Sequence, residues 1–202
     1  DGTRPAELGD AACFSFYPAK NMTVLGDGGM VTTNNEELAK KVRMLRDHGR
    51  TQKYLHELLG LNCRLSEIHA AIGREQLKHL SQWNNRRREI AAQYNNLLNC
   101  DGVTKPVEKD WARHVYYMYV IRIKSRDKLA SYLKERGIET GIHYPIPLHC
   151  QPCLRSEVHL PITEKYIDEI LSLPMHPQLK DEEVEYVALE VRNFVEDAGC
   201  RG

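Results

Sequence analysis

The stretch Phe14-Ser15-Phe16-Tyr17-Pro18-Ala19-Lys20-Asn21, followed by Gly26-Asp27-Gly28-Gly29, decides how this chain is read. An apolar strand leads into a turn limited by Pro18 and carrying one lysine. A glycine-rich turn then opens a second strand, Met30-Val31-Thr32-Thr33. A lysine at the tip of a strand–turn–strand unit suits an amine that must meet a carbonyl. Burial of Lys20 among Phe14, Phe16 and Tyr17 would favour its neutral, nucleophilic form. Ser15, five residues earlier, offers a hydroxyl that can hold a phosphate. The residues alone leave two readings open: an amine nucleophile, or a solvated lysine beside a β-turn, where most lysines sit.

Further blocks lie along the chain in order. They are Asp47-His48-Gly49 with Tyr54 and His56, then Gly60-Leu61-Asn62-Cys63-Arg64-Leu65 and Ala70-Ala71-Ile72. His143-Tyr144-Pro145 with Pro147-Leu148-His149 follows, and Leu171-Ser172-Leu173-Pro174-Met175-His176-Pro177 closes the series. Together with the lysine segment they resemble the DegT/StrS-type sugar aminotransferases, fold-type I enzymes that use pyridoxal 5'-phosphate (PLP). Asp27 stands where many members of that family have glutamate. The resemblance implies an α/β fold: the C-terminal part of a fold-type I large domain over residues 1–80, then a small α+β domain over residues 81–202.

Members of the resembled family are nearly twice as long, with the lysine near the middle, whereas here it is residue 20 of 202. The chain has no initiator Met and opens on Asp1-Gly2-Thr3-Arg4-Pro5, which reads as a loop. The expectation is a C-terminal half. The family's aspartate for the pyridine nitrogen, its stacking aromatic residue and more of its phosphate pocket would then lie elsewhere. Residues 1–202 alone are accordingly expected not to hold PLP productively.

Lys plus Arg equals Asp plus Glu at 28 each, so no global field points to nucleic acid or a membrane. No run of apolar residues is long enough for a transmembrane helix. Six scattered cysteines do not read as a small disulfide scaffold and favour a reducing, cytoplasmic setting. Cys150-Gln151-Pro152-Cys153 is a lone C-x-x-C beside His149. With no second pair to complete a metal set, no metal site is assigned.

The periodicity predicts paired strands over 11–16 and 29–33 and a helix capped by Asn34, with Glu37 completing a capping box. Residues 49–63 read as irregular. Ser66 opens a helical pattern that continues through 82–98, where Arg86-Arg87-Arg88 reads as a solvated face rather than a phosphate site. The domain boundary is placed in this stretch, near residue 80. Residues 115–123 give the strongest strand signal. Ser125 caps a helix that stops at Gly137, and a short strand covers 138–140. Helices follow from Thr163 to about 171 and from Asp181 to Phe194. The aromatic residues from Trp111 to Tyr119 read as core and interface, since no basic groove accompanies them.

What the resemblance implies for chemistry is transamination. Lys20 would carry PLP covalently and move the proton of an amino donor, glutamate by analogy. The acceptor would be a keto group on a nucleotide-linked sugar. A branch of the family that dehydrates instead has histidine in place of the lysine. Residue by residue, Ser15 matches a phosphate-binding serine, and Asn62 an asparagine that reaches the phosphate from a partner subunit. Arg64 matches an arginine near the nucleotide sugar, again across a homodimer with composite sites, and His143 and Tyr144 match substrate-side residues. Read without the family, Asn62 closes a turn, Arg64 pairs with a carboxylate and His143 satisfies a loop. A truncated, non-catalytic regulatory or assembly module is the alternative, since some members bear the names of pleiotropic regulators.

Overall fold

In the computed structural model, which describes residues 7–154 and 157–199, β1 (Ala12–Ser15) pairs antiparallel with β2 (Gly29–Thr32). The register sets Ala12 opposite Thr32 and Ser15 opposite Gly29. The loop reading of residues 1–5 and Cys200 lie outside the described residues. Two compact units divide the chain, Asp1–Ser81 and Gln82–Gly202.

In the first unit α1 (Glu36–Leu45) follows the hairpin. Its cap is Asn35 rather than Asn34: Asn35 Oδ1 accepts the Leu38 N–H at 3.0 Å, and Thr33 Oγ1 accepts the Asn35 N–H at 3.0 Å. The segment predicted to be irregular holds a small bulged hairpin of β3 (Arg50–Gln52) and β4 (Leu55–His56). Ser66 opens α2 (Glu67–Leu97), its Oγ accepting the His69 N–H at 3.2 Å. Among the described residues, Val24 is the one fully buried hydrophobic side chain of this unit. Phe14, Met30 and Val31 on the strands, and Leu59 and Leu61 beyond them, are exposed.

The second unit holds the apolar core. The C-terminal part of α2 and the residue just after it contribute Ile90, Ala91, Tyr94 and Leu98 at helical spacing. β5 (Tyr119–Arg122) pairs antiparallel with β6 (Ile170–Leu173), Tyr119 opposite Leu173 and Arg122 opposite Ile170. α3 (Arg126–Glu135) buries Leu129 and Leu133, and α4 (Pro161–Tyr166) starts on a proline. α5 (Asp181–Gly199) buries Val184, Val187, Ala188 and Val191, one face of a 3.6-residue repeat. Each such aliphatic side chain contributes about 1.5–3 kcal/mol on burial. The rings of Tyr94 and Tyr119 lie 4.8 Å apart, and their hydroxyls donate to Pro174 O at 3.0 Å and Asn95 Oδ1 at 2.6 Å.

Several sequence expectations are corrected here. The strand predicted from 115 starts only at Tyr119, because Tyr116 has φ +43° and takes its N–H to His114 Nδ1 at 2.7 Å. A left-handed tyrosine cannot continue a strand. The helix predicted to run to residue 171 ends at Tyr166, and Ile170–Leu173 is the partner that β5 requires. The strand predicted at 138–140 is absent, and pairing with β6 comes instead through Gly141 and Ser172. Ser125 precedes α3 without a side-chain cap, since its φ −94° and ψ 36° lie outside the extended region that capping uses.

The arginine triplet is not a solvated face. Arg87 Nη1 donates to the carbonyls of Tyr116, Tyr117 and Met175 at 3.3, 3.1 and 2.9 Å, with the residue 5% exposed. Arg86 reaches Leu179 O and Asp181, and Arg88 pairs with Glu108 and donates to His114 O. Replacing Arg87 with Met should therefore destabilise the whole protein by about 2–3 kcal/mol in urea unfolding, because buried carbonyls lose a charged donor. Lys40→Met, which removes an exposed pair with Glu37, should cost less than about 1 kcal/mol.

Candidate functional site

The β1–β2 connection positions Lys20 and Ser15. Phe16 N donates to Gly28 O at 2.8 Å, which carries the hairpin one step beyond the paired strands. Lys20 N donates to Tyr17 O at 2.8 Å and closes a turn with Pro18 at its second position. Ser15 Oγ accepts the Tyr17 N–H at 3.3 Å. Lys20 is half-buried and Ser15 exposed. Of the aromatic residues around it, Phe16 is half-buried, while Phe14 is 46% and Tyr17 55% exposed.

Asn62 and Arg64 lie at the far side of a backbone knot built on Asp47. Asp47 and Asn62 form an isolated antiparallel bridge, flanked by His48 N to Leu61 O at 2.8 Å and Cys63 N to Arg46 O at 2.8 Å. Gly49 makes the knot possible: its φ is +69°, and a Cβ there would lie 1.7 Å from Leu58 O. Arg64 Nε donates to Asn62 Oδ1 at 2.9 Å, and Arg64 Nη1 lies 3.6 Å from Asp47 Oδ1. Arg50 donates to Asp47 Oδ2 at 2.8 Å. Partial burial pushes the Asp47 carboxyl up, but the hydrogen bond from Arg50 and the charges of Arg50, Arg64 and His48 outweigh it. The carboxyl is held below its ordinary value. Locally, Arg64 faces a carboxylate, whereas Asn62 sits in a β-bridge rather than closing a turn before α2, and the structure brings this pair together through Asp47. Sequence alone assigns Asp47 no role. The signal was its place beside His48-Gly49, where the chain must turn.

His143 and Tyr144 stand on the loop after α3. Their rings meet edge to face at 5.5 Å and 84°, and the peptide between them is cis. His143 Nδ1 lies 2.9 Å from the hydroxyl of Ser172 on β6. Tyr144 is 65% exposed. Further along the same loop His149 Nε2 meets Glu164 Oε1 at 3.0 Å. The Leu160 N–H, then His149 and His159, hold the Glu164 carboxyl down at about 2.

A groove of about 690 Å³ in the first unit is lined by Cys13, Phe14, Met30, Val42, Arg46 and Leu65 among others. It does not include Lys20, Ser15 or Asn62. Among the described residues no helix is long and apolar enough to cross a membrane.

A pleiotropic regulatory protein of Geobacillus stearothermophilus is 46% identical over 201 residues, which are 96% of this chain and 54% of that protein. A dTDP-3-amino-3,4,6-trideoxy-alpha-D-glucose transaminase of Streptomyces venezuelae is 41% identical, over 96% of this chain and 53% of its own. The crystal structure of S. venezuelae DesV matches with a TM-score of 0.89 at 42% identity, covering 93% of this chain and 52% of that one. The chain spans about half the length of the curated relatives it matches. Its mixed α/β fold is thus about half of such an aminotransferase. With residues 1–192 matched, the chain belongs to the DegT/DnrJ/EryC1/StrS aminotransferase family.

Proposed function

We propose that the whole protein is a PLP-dependent aminotransferase that moves an amino group from an amino acid, glutamate by family resemblance, to a keto group on a nucleotide-linked sugar. The observation that carries this reading is a primary amine and a hydroxyl, Lys20 and Ser15, on one β1–β2 connection in a chain of this family. The similarity to a dTDP-sugar transaminase supports the substrate class. We assign residues 1–80 to the cofactor domain and 81–202 to the small domain.

The donor set on the connection fits PLP chemically. A lysine amine can condense with an aldehyde. The Ser15 hydroxyl accepts the Tyr17 N–H and keeps its own proton for a phosphate oxygen. PLP, when bound, supplies the electron sink for the charge left at the donor's α-carbon. Lys20 Nζ would serve as the general base that takes the α-proton of the donor and as the general acid that gives it back. Asn62 would help hold the phosphate, and Arg64 would offer its planar fork to the phosphates of the nucleotide sugar. Asp47 acts on Arg64 as a positioning residue: its carboxylate faces the guanidinium whose Nε holds Asn62. His143 and Tyr144 serve the sugar side. Asn62 and Arg64 serve the site of a neighbouring copy, so the active unit is a homodimer, with C₂ symmetry as the simplest closed form. We place it in the cytoplasm, where its nucleotide-linked substrates would be made.

A second reading has one observation in its favour, the 46% identity to a pleiotropic regulatory protein. On that reading the chain serves as a regulatory or assembly module without turnover.

The enzyme reading is tested first at Lys20. Borohydride reduction of the whole protein with PLP should fix the cofactor on Lys20, and Lys20→Ala should abolish transamination while leaving the fold intact. Peptide mapping that finds the cofactor on another lysine would refute the assignment. Loading without turnover toward any nucleotide-linked keto sugar would favour the regulatory reading. Mixing inactive Lys20→Ala and Asn62→Ala protomers should recover part of the activity, since one site in the hybrid is whole. Absent recovery with subunit exchange verified, Asn62 does not act across the dimer. Asp47→Asn should raise the KM for the nucleotide sugar about three- to tenfold. A carboxyl held low contributes its stability above its ordinary value of 3.8 and loses it only as pH falls through the lower folded value. Acidification from pH 7 to 5 should therefore leave the Asp47 contacts intact, as read by hydrogen exchange at His48 and Cys63.

A further inference from the structure

The Leu171-Ser172-Leu173 strand has a polar residue at its centre that the proposed chemistry leaves unused. Ser172 is 7% exposed between two core leucines, Leu171 at 0% and Leu173 at 3%. A serine in such a place needs a partner for its hydroxyl. Its hydrogen-bond partner is the imidazole of His143, with Nδ1 2.9 Å from Ser172 Oγ. The backbone of Ser172 holds the same loop: Gly141 N donates to Ser172 O at 3.0 Å, and Ser172 N donates to Gly141 O at 2.7 Å. Two residues before His143, Gly141 clears the space for the ring. A Cβ at position 141 would lie 2.4 Å from His143 Cε1 and 3.2 Å from Nδ1. One core strand thus fixes the loop by its backbone and the ring by its side chain, while a missing side chain leaves room for the ring.

We infer that Ser172 and Gly141 are positioning residues for His143: they lock the imidazole by its Nδ1 edge and leave Nε2 as the nitrogen offered to the sugar substrate. The inference rests on the proposed aminotransferase reading for what His143 meets, and on the geometry alone for how the ring is held. A hydroxyl partner also sets the tautomer. When Ser172 donates to Nδ1, the neutral ring carries its proton on Nε2 and can donate to a sugar oxygen. When Nδ1–H donates to Ser172, Nε2 presents a lone pair. Either way the two nitrogens are no longer equivalent, and a single ring orientation persists because β6 is anchored in the core. Ser172 itself touches no reacting atom in this scheme.

The test uses the whole natural protein with isotope-labelled histidine, and reads both the His143 ring nitrogen shifts and the kinetics of the two half-reactions. Ser172→Ala should move the Nδ1 shift of His143 toward that of a histidine averaging between tautomers. It should also raise the KM for the nucleotide sugar about three- to tenfold, with the amino-donor half-reaction unchanged. Ser172→Thr keeps the hydroxyl and should restore both. Gly141→Ala leaves Ser172 in place but displaces the ring, and should reproduce the change in shift. Unaltered His143 shifts in Ser172→Ala or in Gly141→Ala would overturn the inference, and so would an equal loss in both half-reactions, which marks a merely structural serine. If the natural protein shows no transamination, the functional reading fails, while the nitrogen shifts still decide whether Ser172 and Gly141 hold the ring.

Discussion

One buried guanidinium organises the second unit. Arg87 projects from α2 and ends on carbonyls of Tyr116, Tyr117 and Met175, from segments far apart in sequence. Those are the residues where the chain enters β5 and leaves β6. Burial works against the charge of this arginine, and the carbonyl dipoles are what it receives in return. Tying the start of β5 to the end of β6 fixes one end of the antiparallel pair, the end at which Tyr119 faces Leu173. That register leaves Ser172 opposite Val120 and in reach of the Gly141 backbone. The placement of His143 thus descends from a residue that looked, in sequence, like part of a charged run.

The first unit is held in a different way. It has almost no buried apolar side chains among the described residues, so the order of its functional segments comes from backbone hydrogen bonds and from one carboxylate. Asp47 sits where α1 ends and where residues 61–63 return, and it gathers Arg50 and Arg64 around it. Ion pairs with partly exposed arginines are individually weak. The knot survives because the pairs act on a backbone already fixed by Gly49 and by the Asp47–Asn62 bridge. A polar knot of this kind specifies a geometry without supplying much stability.

The legible parts of the sequence were those in which local chemistry and final structure agree. The hairpin around Lys20, the helix opened by Ser66 and the α5 repeat all follow from turn residues, caps or a helical period. What was misread is tertiary in origin. Leu171-Ser172-Leu173 fits the end of a helix until β5 demands a partner. Residues 115–118 have strand composition, yet Tyr116 turns left-handed to place its carbonyl on Arg87. Arg86-Arg87-Arg88 looks solvated because nothing nearby in sequence reveals the distant carbonyls and carboxylates that receive it. Among candidate site residues, the motif pointed to Lys20, Ser15, Asn62, Arg64, His143 and Tyr144. The residues that orient them, Asp47 and Ser172, needed the contacts to be seen.

The two units hold their candidate residues in different ways. His143 is tied to a strand whose neighbours are fully buried, so its position inherits the stiffness of the core. Lys20 rides on a hairpin whose apolar residues Phe14, Met30 and Val31 remain exposed. Covering apolar surface contributes about 25 cal/mol per Å², so a partner surface seated on this hairpin would stabilise it substantially. It would also end the edge exposure that makes a bare two-stranded sheet prone to pairing. The exposure of Lys20 then depends on what lies against β1 and β2 as much as on the turn that bears it. Enclosure of the amine is a property of that packing, whereas the turn itself, closed by Tyr17 O and Lys20 N, is written in the local sequence.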